Sequence, residues 1–118
     1  MSDHYTGWYY QFAPYDPEHA PESFVGFVYR IQNLDTLQKY IGKKLFWNRR
    51  KTKVKTKSGG TKTKYVTKES DWKKYYGSNK LLQEQVEEVG GDKYYREILK
   101  FCKTKGECSY YEAKLQFE

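Results

Sequence analysis

The stretch Gly26–Lys44, GFVYRIQNLDTLQKYIGKK, constrains the fold of this chain more than any other. Two short apolar runs, Phe24–Ile31 and Tyr40–Phe46, flank a polar connector that holds Asn33, Asp35 and Thr36. β-Branched and aromatic residues on either side of turn formers predict two strands joined by a loop. Tyr29 and Tyr40 stand eleven positions apart, one on each strand, and Gly42 follows the second. A glycine inside a strand marks a point where a backbone or a phosphate comes close.

A second strand pattern follows. Lys51, Lys53, Lys55 and Lys57 alternate with Thr52, Val54 and Thr56, Ser58-Gly59-Gly60 interrupts, and alternation resumes with Lys62 and Lys64. Period two on both sides of a Gly-rich break predicts a β-hairpin with its lysines on one face, against the alternative of a loop spread by like charges. The wider segment Lys43–Lys74 contains 13 Lys/Arg against Glu69 and Asp71, whereas the remaining residues hold 9 Lys/Arg and 13 Asp/Glu. Positive charge so concentrated, beside a tyrosine-bearing hairpin, suits a surface that binds a polyanion. A lysine-rich solvated face has the same composition.

Residues 1–23 hold Tyr5, Trp8, Tyr9, Tyr10, Tyr15 and all three prolines, together with Asp3, Asp16, Glu18 and Glu22. Pro14, Pro17 and Pro21 argue against a continuous helix or a central strand, so an acidic arm packing its rings on the domain is expected. His4 and His19 have no partners at metal-binding spacing. Cys102 and Cys108 are too few for a disulfide framework or a four-ligand zinc site, so reduced thiols and a cytoplasmic location are expected. No apolar run approaches membrane-spanning length.

Ser70 as an N-cap predicts a short helix over Asp71–Tyr76, and Ser78 or Asn79 caps a second over Lys80–Val89. Leu82, Val86 and Val89 form its apolar stripe, and Gly90-Gly91 stops it. Lys93–Cys102 reads as a third strand, with Tyr95, Glu97, Leu99 and Phe101 on one face and Tyr94, Arg96, Ile98 and Lys100 on the other. Glu107–Glu118 reads as a closing helix on which Cys108, Tyr111 and Leu115 share a face, with Glu112 within a turn of each. The sum is an α+β domain: a small three-stranded antiparallel sheet flanked by helices, spanning 24–118, with a basic β-hairpin or loop inserted at 49–69.

No Ser/His/Asp set, phosphate-cradling Gly loop or metal-binding histidine pair occurs. Tyrosine, arginine and carboxylate remain, and phosphodiester cleavage can be built from them. It requires an activated water, a cation facing the developing charge and help for the leaving oxygen. Arginine offers fixed donors to phosphate oxygens. A single carboxylate can hold Mg²⁺, which keeps several of its waters. A tyrosine serves as base only if its pKa falls from about 10. Lys43, Lys44 and Arg50 are close enough in sequence to be expected to lower it.

Phe27-Val28-Tyr29 and Tyr40-Ile41-Gly42, at this separation, resemble the two signature halves of the GIY-YIG nuclease family. The passage Ser70-Asp71-Trp72…Tyr75-Tyr76-Gly77-Ser78 before a helix resembles a phage-encoded branch that includes homing-type endonucleases. The resemblance implies a Mg²⁺ (or Mn²⁺)-dependent DNA endonuclease. It casts Tyr29 as the group that activates water and Tyr40 as its positioning partner. Arg50, ten residues beyond Tyr40, becomes the phosphate clamp, with Arg49 as the substitute. Glu112 becomes the metal ligand. Lys43, Lys44, Arg49, Lys51, Lys53, Lys55, Lys57, Lys62 and Lys64 would bind DNA through its phosphates. Phe27 replaces the first glycine of the family name. The asparagine that family members carry past the metal glutamate has no counterpart before Glu118, and Asn48 and Asn79 match other parts of the pattern. A non-catalytic nucleic-acid-binding module and a domain docking an acidic protein are the competing readings.

Overall fold

The computed structural model describes residues 5–117; Asp3, His4 and Glu118 lie outside that range. In chain order the elements are β1 (Trp8–Tyr10), β2 (Ala13–Tyr15), β3 (Gly26–Asn33), β4 (Lys39–Leu45), β5 (Trp47–Lys55), β6 (Thr61–Glu69), α1 (Lys80–Val89), β7 (Tyr94–Cys102) and α2 (Lys105–Gln116). The main sheet has five strands in the order β2-β1-β7-β3-β4, and β5 and β6 form a separate two-stranded ribbon. β1 runs parallel to β7 and every other pairing is antiparallel, so the sheet is mixed. The expected α+β class holds, but the three-stranded antiparallel sheet is corrected to five mixed strands.

The two extra strands come from the aromatic arm. Trp8–Tyr10 pairs along β7, and Ala13–Tyr15 folds back on it as the edge strand, where Pro14 costs no ladder bond. Gln11 (φ 50°) and Phe12 (φ 66°) form the two-residue turn. Both sit in the left-handed region that such hairpins demand and that Asn-Gly ordinarily fills. The arm's rings enter the core: Trp8 is buried, meets Phe27 edge-on, and donates its indole N–H to the Trp72 carbonyl at 2.6 Å. Arg96, also buried, ties the arm down by donating to the carbonyls of Thr6 and Tyr75.

One face of the sheet carries this aromatic core, built on Phe27, Tyr29, Ile31, Phe46, Trp72 and Ile98. The other carries Val28, Cys102 and Cys108, covered by Tyr111 and Leu115 of α2. The strict alternation expected along β7 fails at a bulge, where Val28 pairs Lys100 and Tyr29 pairs Ile98, leaving Leu99 without a partner. One extra residue reverses the faces beyond it. Phe101 therefore joins the aromatic side with Tyr94 and Ile98, and Cys102 turns toward α2.

Helix α1 spans the expected residues, with the Asn79 side chain accepting from the Leu82 N–H and Gly90 (φ 91°) closing it. The helix expected over Asp71–Tyr76 is only a 3-10 turn, Trp72–Lys74. Ser70 does not cap it, because its hydroxyl donates to the Leu45 carbonyl. Helix α2 begins two residues before the expected Glu107, at Lys105, capped by Thr104.

The ribbon is longer than the lysine alternation suggested, nine residues on each strand, and is exposed except at its root. There the Trp47 indole bonds the Pro21 carbonyl and the Glu69 carboxylate accepts the Ala20 N–H. Its ladder pairs residues of like parity, Lys51 with Tyr65 and Val54 with Lys62. Opposite residues share a face, so the odd-numbered cations of β5 and the even-numbered lysines of β6 lie on opposite faces. The expectation of a single lysine face is corrected accordingly. Each lysine on the ladder faces Thr, Tyr or Val across it, except Lys68, which faces Asn48, and this keeps like charges from meeting directly.

Candidate active site

β4 is the edge of the sheet, and the candidate site lies along that edge. Tyr29 and Gly42 are cross-strand partners, as are Ile31 and Tyr40, so both tyrosines rise on the aromatic face. Helix α2 covers the opposite face and brings Glu112 and Gln116 to the same edge. A cleft of about 560 Å³ opens there, lined by Tyr29, Lys39, Tyr40, Gly42, Gly77, Asn79, Glu112 and Gln116. Tyr29, Tyr40 and Glu112 are thus brought together.

Gly42 makes the convergence possible. A Cβ at this position would collide with the Tyr29 phenol oxygen and its ring. The absent side chain lets Tyr29 pass over β4 and reach the edge, so the close approach expected at this glycine is made by a tyrosine. Gly77 (φ 91°), in the turn before α1, carries the chain past the same phenol. Its conformation is one that L side chains rarely adopt.

Tyr29 is 3% exposed, and burial is the main reason its pKa lies above the ordinary tyrosine value. Tyr75, whose ring stands edge-on to it at 5.9 Å, raises it further, as does the Glu112 carboxylate. A hydrogen bond from the Ser78 backbone acts in the opposite direction. The direction is therefore the reverse of that expected from Lys43, Lys44 and Arg50: the two lysines are engaged elsewhere, and Arg50 stands on the ribbon. Lys44 lies 2.8 Å from Asp71 and 4.2 Å from the centre of the Tyr75 ring, and Lys43 donates to the Ser109 hydroxyl at 2.7 Å. These two lysines line a separate hollow of about 290 Å³ with Asn48 and Lys105.

Arg50 does not line the cleft. It projects from β5 on the ribbon face that it shares with Val66. Arg49, on the other face, stacks over Tyr65 at 4.1 Å. Lys51, Lys53, Lys55, Lys57, Lys62 and Lys64 are all exposed on the ribbon or at its turn.

Sequence reasoning missed Lys39, Asn79 and Gln116 as lining residues. Gln116 lies one helical turn beyond Glu112, a spacing that puts both on one side of α2 and was legible. Its amide donates to the Ile41 carbonyl at 3.2 Å, tying the end of the helix to β4. Asn79 was legible only as a cap, since the fold alone brings the start of α1 to the cleft.

Among the described residues, no group of three or more His, Cys, Asp or Glu could hold a metal ion. Glu112 forms no ion pair there either. A single unpaired carboxylate on the wall of a water-accessible cleft suits a hard cation such as Mg²⁺, which takes one or two carboxylates and keeps several waters. The Asn79 and Gln116 side chains are the neighbouring neutral oxygen donors. Among the described residues, no helix is long and apolar enough to cross a membrane.

A family model described as the GIY-YIG domain of the putative endonuclease segE matches residues 8–118. The match begins at the first residue of β1, so the segment that supplies the two extra strands lies within it. No curated protein and no solved structure matches the chain significantly.

Proposed function

The chain belongs to the GIY-YIG nuclease family, and from that premise we propose that it hydrolyses DNA phosphodiester bonds in the Tyr29–Tyr40–Glu112 cleft with Mg²⁺ as cofactor. The family is one of nucleases acting on DNA and generally using divalent metal ions. The observation that carries the reading is the meeting of two tyrosines from one face of the sheet with a glutamate from the helix on the other. Packing alone does not require an unpaired carboxylate beside a buried phenol, since the pair opposes ionisation of the ring.

In this mechanism Glu112 would hold the cation. When bound, the ion supplies positive charge to the phosphate and the departing oxygen. Tyr29 first gives up its own proton to solvent, and the phenolate then takes the proton of the attacking water. Burial, Tyr75 and Glu112 hold the phenol protonated at rest, while the Ser78 hydrogen bond favours the phenolate. Tyr40 positions phosphate and water from the adjacent strand. Lys39 is the ammonium that lines the cleft, and Arg50 would approach the phosphate from the ribbon as a planar, doubly donating clamp. The resemblance of the Ser70–Ser78 passage to a phage branch supports the finer reading of a homing-type endonuclease.

Incubating supercoiled plasmid with the protein and Mg²⁺, with and without EDTA, tests the reading. Relaxed or linear product only without chelator is expected. Binding that is indifferent to chelator, with no cleavage in Mg²⁺ or Mn²⁺, would leave a nucleic-acid-binding module instead.

A further inference from the structure

We propose that the β5–β6 ribbon enters the major groove of duplex DNA edge-on, so that each of its faces contacts the phosphates of one groove wall. The inference rests on DNA being the substrate, and it specifies how the duplex is held.

The distribution of charge carries it. Arg49, Lys51, Lys53 and Lys55 stand on one face, and Arg50, Lys62, Lys64 and Lys68 on the other. A ribbon lying flat on DNA would turn half of these cations to solvent, where they only repel one another. Two cationic faces match a slot with two anionic walls. No acidic residue forms an ion pair with the ribbon among the described residues, and Glu69, its one carboxylate, is engaged at the root. Both faces are exposed from Asn48 to Lys68.

The dimensions agree. The major groove is about 12 Å wide and admits a two-stranded ribbon. Stacked sheets lie about 10 Å apart face to face, which is roughly the thickness one sheet takes up with its side chains. Nine residues at about 3.3 Å each give a blade of roughly 30 Å, a little under one turn of the duplex at about 34–36 Å. Its root lies beside the Lys43–Lys44 hollow, which also includes Asn48 of β5, and Arg50 stands two residues beyond Asn48. The blade therefore leads the duplex back toward the body of the domain.

Two measurements on the full-length protein, made in EDTA so that cleavage plays no part, test the proposal. The first is dimethyl sulfate probing of a duplex bound by the unaltered protein. Protection of guanine N7 in the major groove over about one helical turn is expected, with adenine N3 in the minor groove left reactive. Protection of adenine N3 alone would overturn the proposal. The second compares the salt dependence of duplex affinity for two triple variants, Lys51→Gln/Lys53→Gln/Lys55→Gln and Lys62→Gln/Lys64→Gln/Lys68→Gln. Each should lower the slope of log K against log[salt] by about 3, at roughly 0.9 for every phosphate that is no longer neutralised. A change confined to one variant would mean that the ribbon lies flat, and tighter binding of single strands than of duplex would equally exclude groove insertion. Because both readouts are of binding, a protein that grips DNA in this way but never cuts it refutes the proposed hydrolase and leaves the groove assignment standing.

Discussion

The phenol of Tyr29 occupies the space that a side chain at residue 42 would fill. The two residues face each other across β3 and β4, and the edge-strand glycine is the opening through which a ring rooted in the core reaches the cleft. Gly42→Ala should therefore displace Tyr29. A loss of about 1–3 kcal/mol in stability is expected from overpacking, and nicking should fall by about 100-fold, as misplacement of a reacting group by an ångström can cause. Urea denaturation and plasmid nicking on the same preparation measure both. Undiminished nicking would mean that Tyr29 is not placed by this gap.

The elevated pKa of Tyr29 sets a pH signature. A phenol that must lose its proton to act, and whose pKa lies above the ordinary value, is mostly protonated at neutrality. The cleavage rate should climb about tenfold per pH unit between roughly pH 6 and 9, and Tyr29→Phe should remove both the slope and most of the rate. Tyr75→Phe keeps the ring but deletes the hydroxyl that raises Tyr29. Its profile should shift to lower pH, giving faster cleavage than the parent at pH 7.

The buried thiols predict alkaline lability. Burial, and then its neighbour Cys102, push Cys108 up to about 12. A group whose pKa is raised by folding contributes stability that is complete below its unfolded value and is lost as pH climbs through the folded one. Urea midpoints should be level up to about pH 8.5 and fall from there toward pH 12. Cys108→Ala should flatten that fall. In the native protein both thiols should resist a thiol reagent at pH 8 and react on unfolding.

Trp8 tests whether the N-terminal strands are integral to the domain. Trp8→Ala removes a fully buried ring that contacts Phe27 and Tyr29, and should cost about 3–5 kcal/mol. Thermal unfolding measures it. A shift of less than about a degree would mean that β1 and β2 are dispensable.

How much of the fold was legible in the sequence depended on the range of the interactions. The β3–β4 hairpin, helix α1 and the apolar face of α2 declare themselves in local period and caps, and they fold as they read with one exception. Val89, expected on the apolar stripe of α1, is 49% exposed, and only Leu82 and Val86 of that stripe reach the core. The hairpin of β1 and β2 did not, because strands of three residues show no alternation and Gln11-Phe12 is not a recognisable positive-φ turn. Thr104-Lys105-Gly106-Glu107 was a legible start for α2, with the spacing of a capping box. The β7 bulge and the split of the ribbon lysines between faces depend on register, which period alone leaves open. The tyrosine pair was visible in spacing, as was Glu112 in its motif. The role of Gly42 as a passage, and the opposite sign of the Tyr29 pKa, emerge only once the two faces of the sheet are assembled.

Glu112 is the proposed carboxylate that would hold the cofactor beside Tyr29 and Tyr40. Glu112→Gln keeps the side chain's shape and removes the charge, so the decisive measurement is its rate of Mg²⁺-dependent plasmid nicking, read beside its DNA affinity at low salt. Nicking should drop by at least about 1,000-fold, in line with the loss of several kcal/mol of charge stabilisation, with affinity within a few-fold of the parent. A variant that cuts at the parental rate would contradict the assignment.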